Sequence, residues 1–207
     1  MIYITMDPND PDTVFTGSAR VWRTKNDGKK WRAVSPALDG SPISAIEIAP
    51  ADSKRIYVAT ENGGFFRSLD GGNTWSANLA GATLPGHTIT RIDSTTKLRA
   101  DFLFITIANF DHSHVFRSRD GGRTWEDVDK GQLPNVPHHA VVMRPDKPKT
   151  VYVGNDAGVF VSHDSGETWM NMTNNLPNVM VVDLVLQEKD GTLSAATYGR
   201  SLWRTRI

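Results

Sequence analysis

Short runs that alternate apolar and polar residues recur along the whole chain. Val, Ile, Thr and aromatic residues dominate runs such as "SAIEIA", "RIYVAT", "FLFITI" and "TVYVG". Gly, Pro, Asn and Asp separate these runs, as in a series of short β-strands joined by turns. A helical period is not convincing in any segment. The pattern therefore predicts an all-β protein.

The runs belong to a repeat that ends on tryptophan. The segments "RSLDGGNTW", "RSRDGGRTW" and "VSHDSGETW" are copies of one motif, and "RTKNDGKKW" is a weaker copy. Their final residues are spaced 44, 50 and 44 positions apart and are Trp31, Trp75, Trp125 and Trp169. An aromatic residue also stands two positions before each motif Ser or Thr, at Trp22, Phe66, Phe116, Phe160 and Trp203. The register of the repeat is therefore kept five times.

Each repeat is consistent with four short strands, with the motif turn between the third and the fourth. Four strands in about 40–50 residues are typical of a β-propeller blade. We predict a single all-β propeller domain of four-stranded antiparallel blades, four complete and a fifth incomplete, at approximately residues 1–40, 41–85, 86–136, 137–178 and 179–207. The fourth strand of the second blade is expected from Thr74. The short fifth blade favours a piece of a larger ring over a closed five-bladed ring or a pair of copies.

Physical chemistry assigns the motif to a turn. The carboxylate of Asp70 can accept hydrogen bonds from turn amides and from the hydroxyls of Ser68 or Thr74, and Gly72 tolerates a positive φ. Trp75 then begins a strand and buries apolar surface against its own or the next blade. Because catalysis needs one asymmetric site, repeated copies favour a structural role.

Three copies match S-x-D-x-G-x-T-W, and on these residues the chain resembles the Asp-box, or BNR-repeat, propellers. That family includes sialidases, sortilin-type receptors, xyloglucan-cleaving glycoside hydrolases and a photosystem assembly factor. The resemblance implies that the motif turns lie on the face opposite the ligand site. The structural residues are then Ser68, Asp70, Gly72, Thr74, Trp75, Ser118, Asp120, Gly122, Thr124, Trp125, Ser162, Asp164, Gly166, Thr168 and Trp169. The first copy has Asn26 and Lys30 at the Asp and Thr positions, so its turn is expected to be held less firmly.

The composition of the chain limits the classes of partner that it can bind. Lys plus Arg and Asp plus Glu number 23 each, so no overall field attracts nucleic acid or an anionic membrane, and neither is expected as a partner. The absence of cysteine excludes disulfides, thiolate catalysis and cysteine-ligated metals. No apolar run reaches the roughly 18 residues of a membrane helix, and no signal peptide is visible. The closing "ATYGRSLWRT" resembles secreted bacterial repeat proteins, which implies an extracellular or periplasmic location.

Candidate ligand residues lie on the loops opposite the motif turns, where propellers commonly bind ligands. They are Glu61, Asp111, His112, His114, His138, His139, Asp156, Tyr198 and Arg200. The sharpest hypothesis brings Asp111, His112, His114 and either His138 or His139 together between the third and fourth blades. Such a group could hold zinc or form a polar pocket for a sugar or peptide. The alternative is a set of solvated loop residues, and because the spacing matches no zinc signature, no metal or other cofactor is assigned.

No catalytic residue stands out. A glycosidase usually needs two carboxyl groups about 5–10 Å apart. The carboxylates outside the motifs that are expected near the ligand face or the channel, none distinguished by its neighbours, are Glu61, Asp93, Asp156 and Asp183. Arg20, Arg91 and Arg200 with Tyr198 could be imagined as a sialidase-like set, but the Arg-Ile-Pro segment of that family is missing. We predict a binding or interaction scaffold for carbohydrate or protein, with self-association through open sheet edges possible. The alternative is a glycoside hydrolase or the C-terminal part of one.

Overall fold

The computed structural model describes residues 4–94, 99–172 and 176–207. These residues form five antiparallel β-sheets. The first sheet contains β1 (Ile4–Asp7), β2 (Asp10–Gly17), β3 (Val21–Thr24) and β4 (Arg32–Ala33). The second contains β5 (Ile43–Ile48), β6 (Ile56–Thr60) and β7 (Phe65–Ser68). The third contains β8 (Ile89–Asp93), β9 (Leu103–Ile107), β10 (Val115–Ser118) and β11 (Glu126–Asp127).

The fourth and fifth sheets repeat this order. The fourth contains β12 (His138–Met143), β13 (Val151–Asn155), β14 (Gly158–Ser162) and β15 (Met170–Asn171). The fifth contains β16 (Val181–Gln187), β17 (Thr192–Thr197) and β18 (Leu202–Arg206). A 3-10 turn at Glu188–Asp190 is the one helical segment in the described ranges, where no helix is long and apolar enough to cross a membrane. The all-β prediction is confirmed.

The sheets pack one after another through their first strands. Strands β1, β5, β8, β12 and β16 lie side by side in that order. Four apolar clusters fill the spaces between neighbouring sheets, one cluster to each interface. The outward side of the first sheet stays open, since Ile4 is 66% and Met6 57% exposed. The core is therefore a series of interfaces between sheets rather than one central cluster.

The second sheet has three strands, so the predicted fourth strand from Thr74 is wrong. The amides of Ser76 and Leu79 do donate to the carbonyls of Arg67 (2.9 Å) and Phe65 (2.7 Å), as a fourth strand would. The reciprocal bonds, however, run from the amides of Arg67 and Phe65 to the side-chain oxygens of Ser76 and Asn78, at 3.1 Å each. Side chains thus replace the backbone acceptors of a regular strand.

The three full motif turns share one hydrogen-bond pattern. Oδ1 of Asp70 accepts from the Thr74 amide and the Ser68 hydroxyl at 2.8 Å, and Oδ2 accepts from the Thr74 hydroxyl at 2.7 Å. The same bonds form around Asp120 and Asp164. The bond from the threonine hydroxyl contributes most to lowering the pKa of Asp70 and of Asp164 to about 2. The oxygens of these carboxylates therefore accept hydrogen bonds within their own turns and stabilise them.

The motif tryptophans join their own sheet to the preceding one, and not to the next blade, which the sequence left as an alternative. The Trp75 indole N–H donates to the carbonyl of Val34, and that of Trp169 to the carbonyl of Val128, both at 2.7 Å. Trp125 is buried and meets Phe65 edge-on, with ring centroids 4.9 Å apart. Trp31, in the first sheet, is 37% exposed. The motif thus works as a joint between neighbouring sheets.

Candidate functional site

Two loops of the third sheet enclose an open pocket of about 450 Å³. One loop joins β9 to β10, and the other follows β11 and leads to β12. Oδ1 of Asn135 accepts a bond from the Asp111 amide at 2.6 Å, and Nδ2 of Asn135 donates to Oδ1 of Asp111 at 2.9 Å. This reciprocal pair ties the loops together. The pocket is lined by Asp111, His112, Ser113, His114, Asp129, Gly131, Leu133 and Asn135.

A buried carboxylate and imidazole form the base of the pocket. Oδ2 of Asp129 lies 2.7 Å from Nδ1 of His114 and accepts from the His114 amide at 3.0 Å, while Oδ1 accepts from the Leu133 amide at 3.2 Å. Each of the two side chains is only 3% exposed. Burial opposes ionisation of Asp129, but the bonds from His114 and Leu133 outweigh it and lower its pKa. With Nδ1 engaged by the carboxylate, Nε2 of His114 is left without a partner in the described structure.

His138 packs behind this pair instead of entering the pocket. Its ring stacks on His114 with centroids 4.7 Å apart. Nδ1 lies 2.8 Å from the Val136 carbonyl, and Nε2 lies 3.0 Å from the side-chain amide nitrogen of Asn155. A carbonyl on one side and an amide donor on the other fit a neutral ring with its proton on Nδ1. Burial, as the main cause, lowers the pKa of His138 to about 4.

Of the two remaining predicted histidines, His139 lies outside the pocket and His112 lines it. His139 pairs with Asp156 at 2.7 Å, and His112 packs against His87 with ring centroids 5.4 Å apart. In the described ranges, no group of three or more His, Asp or Glu side chains could hold a metal ion. The predicted cluster is therefore divided: Asp111, His112 and His114 share a pocket, with His138 behind it.

Glu61, Tyr198 and Arg200 stand on the corresponding loops of the second and fifth sheets. All three are exposed, Tyr198 by 75%. None lines the pocket of the third sheet. Their role as ligand residues stays a prediction.

A second polar group, on the inner strands, contains a residue that sequence reasoning missed. Oε1 of Glu47 accepts from the amide (3.2 Å) and hydroxyl (2.7 Å) of Ser94 in the next sheet. Oδ2 of Asp93 likewise accepts from the Met143 amide at 2.7 Å, one sheet further on. The available signal was a lone carboxylate inside the apolar strand "SAIEIA".

Arg91 extends this inner group across the fourth sheet. Its guanidinium lies 3.2 Å from the carboxylate of Asp183 in the fifth sheet. The position equivalent to Arg91 and Asp183 in the fourth sheet is Ala140, as the bulged registers of the first strands show. A small side chain there leaves room for the ion pair. Inner strands two sheets apart are thus linked directly.

The chain matches a known propeller family over most of its length. The profile of the DUF6242 beta propeller domain matches residues 12–203 of the chain. The chain belongs to this family. The predicted propeller class is confirmed at this level, while the number of blades in a closed ring stays a prediction.

The DUF6242 propeller is also similar to xyloglucan-degrading enzymes. It is 25% identical over 168 residues to the oligoxyloglucan-reducing end-specific xyloglucanase of Emericella nidulans, covering 72% of this chain and 20% of that protein. The structure of an ancestral GH74 enzyme matches with a TM-score of 0.82 at 19% identity, over 100% of this chain and 30% of that one. The extracellular domain of a protein from B. thetaiotaomicron, described as a one component system, matches with a TM-score of 0.71 at 15% identity, over 99% and 26%. The chain thus spans between a fifth and a third of these proteins.

The inner carboxylates make the stability of the DUF6242 propeller depend on pH. Burial, and then the charge of Asp93, raise the pKa of Glu47 to about 8. Because the folded-state pKa of Glu47 lies above its unfolded value, the protonated carboxyl favours the folded state. Its contribution to stability is fully present below about pH 4.5 and is lost as pH rises through 8. We expect Glu47→Gln to be on the order of 2 kcal/mol more stable than the parent at pH 8.5, and close to it at pH 4.5.

Urea unfolding of the parent and Glu47→Gln at both pH values measures this difference. Glu61→Gln, at an exposed position of the same sheet, is the matched control and should follow the parent. A difference between Glu47→Gln and the parent that is the same at both pH values would contradict the expectation.

Proposed function

We propose that the chain is part of a glycoside hydrolase-related propeller and that it binds a β-glucan of the xyloglucan class on its loop face. The observation that carries the proposal is the similarity to a xyloglucanase over 72% of the chain. The recurrent turns support an assignment to the Asp-box class, because three of them share one hydrogen-bond pattern. A protein ligand at the same face is the competing possibility.

The pocket of the third sheet has the chemistry of a sugar-binding surface. Asp111, Ser113 and Asn135 bring hydroxyl, amide and carboxylate groups to one open site, and sugar hydroxyls can exchange hydrogen bonds with all three. Phe110, which precedes the pocket residue Asp111 in the chain, is 59% exposed and offers an apolar ring face. An exposed aromatic ring next to converging polar groups is a usual arrangement for a small-ligand site. The Asp111–Asn135 bonds keep these groups in place before a ligand arrives.

Calorimetric titration with xyloglucan oligosaccharides tests the binding proposal. We expect saturable binding that weakens about tenfold in Phe110→Ala and in His112→Ala, the size expected for one lost ring or polar contact. Leu69→Ala, an exposed position in a motif turn, is the control and should bind as the parent does. Absence of binding, or equal binding by all variants, would refute the proposal, and a mannan oligosaccharide bound equally well would refute the ligand class.

Hydrolysis is a second candidate, favoured by the Glu47 and Asp93 pair. A carboxyl group with a raised pKa beside a second carboxylate is the arrangement that glycosidases use for acid catalysis. The release of reducing ends from xyloglucan measures it, and Glu47→Gln should lower the rate by at least about 100-fold if Glu47 is the acid. A rate that survives the substitution would rule out Glu47 as the acid, and a parent chain that releases no reducing ends would be a binding unit only.

We propose that the protein lies outside the cytoplasm. The structural match to an extracellular domain supports this location. A plant-type polysaccharide ligand would also be met there. Fractionation of the source cells, with antibody detection of the chain, tests this placement.

A further inference from the structure

An apolar pocket of about 70 Å³ lies between the outer parts of the fourth and fifth sheets. Residues from both sheets surround it, and one side opens to solvent. The lining residues are Val159, Met172, Leu176, Leu193, Ala195, Trp203, Arg204 and Thr205. Their chemistry is mostly aliphatic, with the Trp203 indole on the side of the fifth sheet.

The corresponding space between the first and second sheets is filled by Trp75. Val34 and Met172 are equivalent, since the Val34 amide donates to Val21 and the Met172 amide donates to Val159, both at 2.8 Å. Val21 is therefore the counterpart of Val159. Val21 and Val34 belong to the apolar cluster that surrounds Trp75.

The wall formed by the second strand of each sheet is equivalent too. The pairing with the first strand of each sheet shows that Ile56 corresponds to Leu193 and that Val58 corresponds to Ala195. Both residues of the second sheet pack in the cluster with Trp75. The pocket between the last two sheets thus has the walls of a tryptophan site.

The pocket also has the polar group that an indole needs. Trp75 donates its N–H to the carbonyl of Val34, and Trp169 donates to that of Val128. The counterpart of the Val34 carbonyl in the fourth sheet is the carbonyl of Met172, and Met172 is a lining residue of the pocket. An indole placed there would find both an apolar wall and a hydrogen-bond acceptor.

The strand beside the pocket has a free edge. β18 pairs with β17 on one side, and no other described strand pairs with it. All five of its residues are exposed, Leu202 by 66%. By register, Leu202 and Arg204 of β18 correspond to Phe65 and Arg67 of β7. The amides of Phe65 and Arg67 point away from β6, so the amides of Leu202 and Arg204 are expected to point away from β17. Such an edge is a template for an added strand.

We propose that this pocket and the edge of β18 together bind an extended polypeptide segment that carries a tryptophan. The indole inserts one edge into the pocket through its open side, with its N–H toward the Met172 carbonyl, and the residues after it pair with Leu202 and Arg204. The chain's own motif defines the ligand chemistry, because equivalent interfaces are filled by Trp75 and Trp169. This site is separate from the loop face and does not depend on the polysaccharide proposal.

The test uses the 207-residue chain and a fluorescein-labelled peptide with the sequence of residues 164–172, DSGETWMNM. Fluorescence anisotropy should show saturable binding. The same peptide with alanine in place of tryptophan should bind at least about 30-fold more weakly, because a buried tryptophan is a typical hot spot. Equal binding of the two peptides, or no binding up to about 1 mM, a concentration at which even weak peptide recognition is detected, would overturn the proposal.

Two protein variants locate the site. Ala195→Leu places extra methyl groups in the pocket, and Leu202→Pro removes an edge amide while leaving the pocket unchanged; each should weaken peptide binding at least about tenfold. Leu69→Ala is the control and should bind normally. Unchanged peptide binding in both the pocket variant and the edge variant would overturn the proposal. A dimer that is seen in sedimentation and that Ala195→Leu abolishes would also overturn it, because a second copy of the chain would then occupy the pocket.

Discussion

Replacing Gly122 with alanine is expected to destabilise the protein by about 3 kcal/mol. Gly122 has φ +86°, and a Cβ there would overlap the ring of Phe65 in the preceding sheet. Left-handed backbone costs alanine about 1 kcal/mol, and forcing extra atoms into a packed interface adds about 1–3 kcal/mol. Urea unfolding of the parent and the variant measures the loss.

Gly28 is the matched control for this substitution. It occupies the same position in the first motif and has φ +79°, but the nearest atom to its Cβ would be Nε1 of Trp31 at 3.9 Å. Gly28→Ala should therefore cost only about 1 kcal/mol, the backbone part alone. Equal losses at both positions would mean that the close approach of the sheets contributes nothing.

Asp129→Ala should also lower the free energy of unfolding by about 3 kcal/mol, because three buried donors lose the charged group that accepts their hydrogen bonds. The donors are the ring and amide of His114 and the amide of Leu133. Chemical denaturation at neutral pH measures the effect. Since the folded-state pKa of Asp129 is lowered, the contribution is present above pH 3.8 and fades as the pH falls below that value.

Asp146→Ala is the companion variant for this prediction. Asp146 also accepts two hydrogen bonds, both from the Arg144 guanidinium, but it is 57% exposed. Exposed ion pairs contribute about 0–1 kcal/mol, so this change should be nearly neutral. A loss from Asp129→Ala as small as that from Asp146→Ala would show that the pocket loops do not depend on the buried carboxylate.

The features that the sequence predicted correctly are those fixed by local chemistry. The Asp, Gly and Thr of each motif lie within a few residues of one another, and the turn they form needs no distant partner. Trp75 and Trp169 were expected in equivalent surroundings because the motif repeats, and both donate to the preceding sheet. Repetition thus made a long-range feature readable from the sequence.

Long-range features without repetition were not predicted. The missing strand of the second sheet depends on Ser76 and Asn78 competing with backbone acceptors, which residue type alone does not reveal. Glu47 gained its role from Ser94, a residue 47 positions away on another sheet. His138 and His139 are neighbours in sequence, but one packs on His114 and the other pairs with Asp156, because successive residues of a strand point to opposite sides.

The arrangement of the core in successive interfaces has a consequence for how the molecule comes apart. Each sheet is held by its neighbours, so the third sheet has two supporting partners, whereas the first and last have one each among the described sheets. In the 207-residue chain by itself, opening should therefore begin at either extremity and proceed inward, as in linear arrays of coupled units. Amide protons of β9 and β10 would then exchange with solvent long after those of β2 and β17.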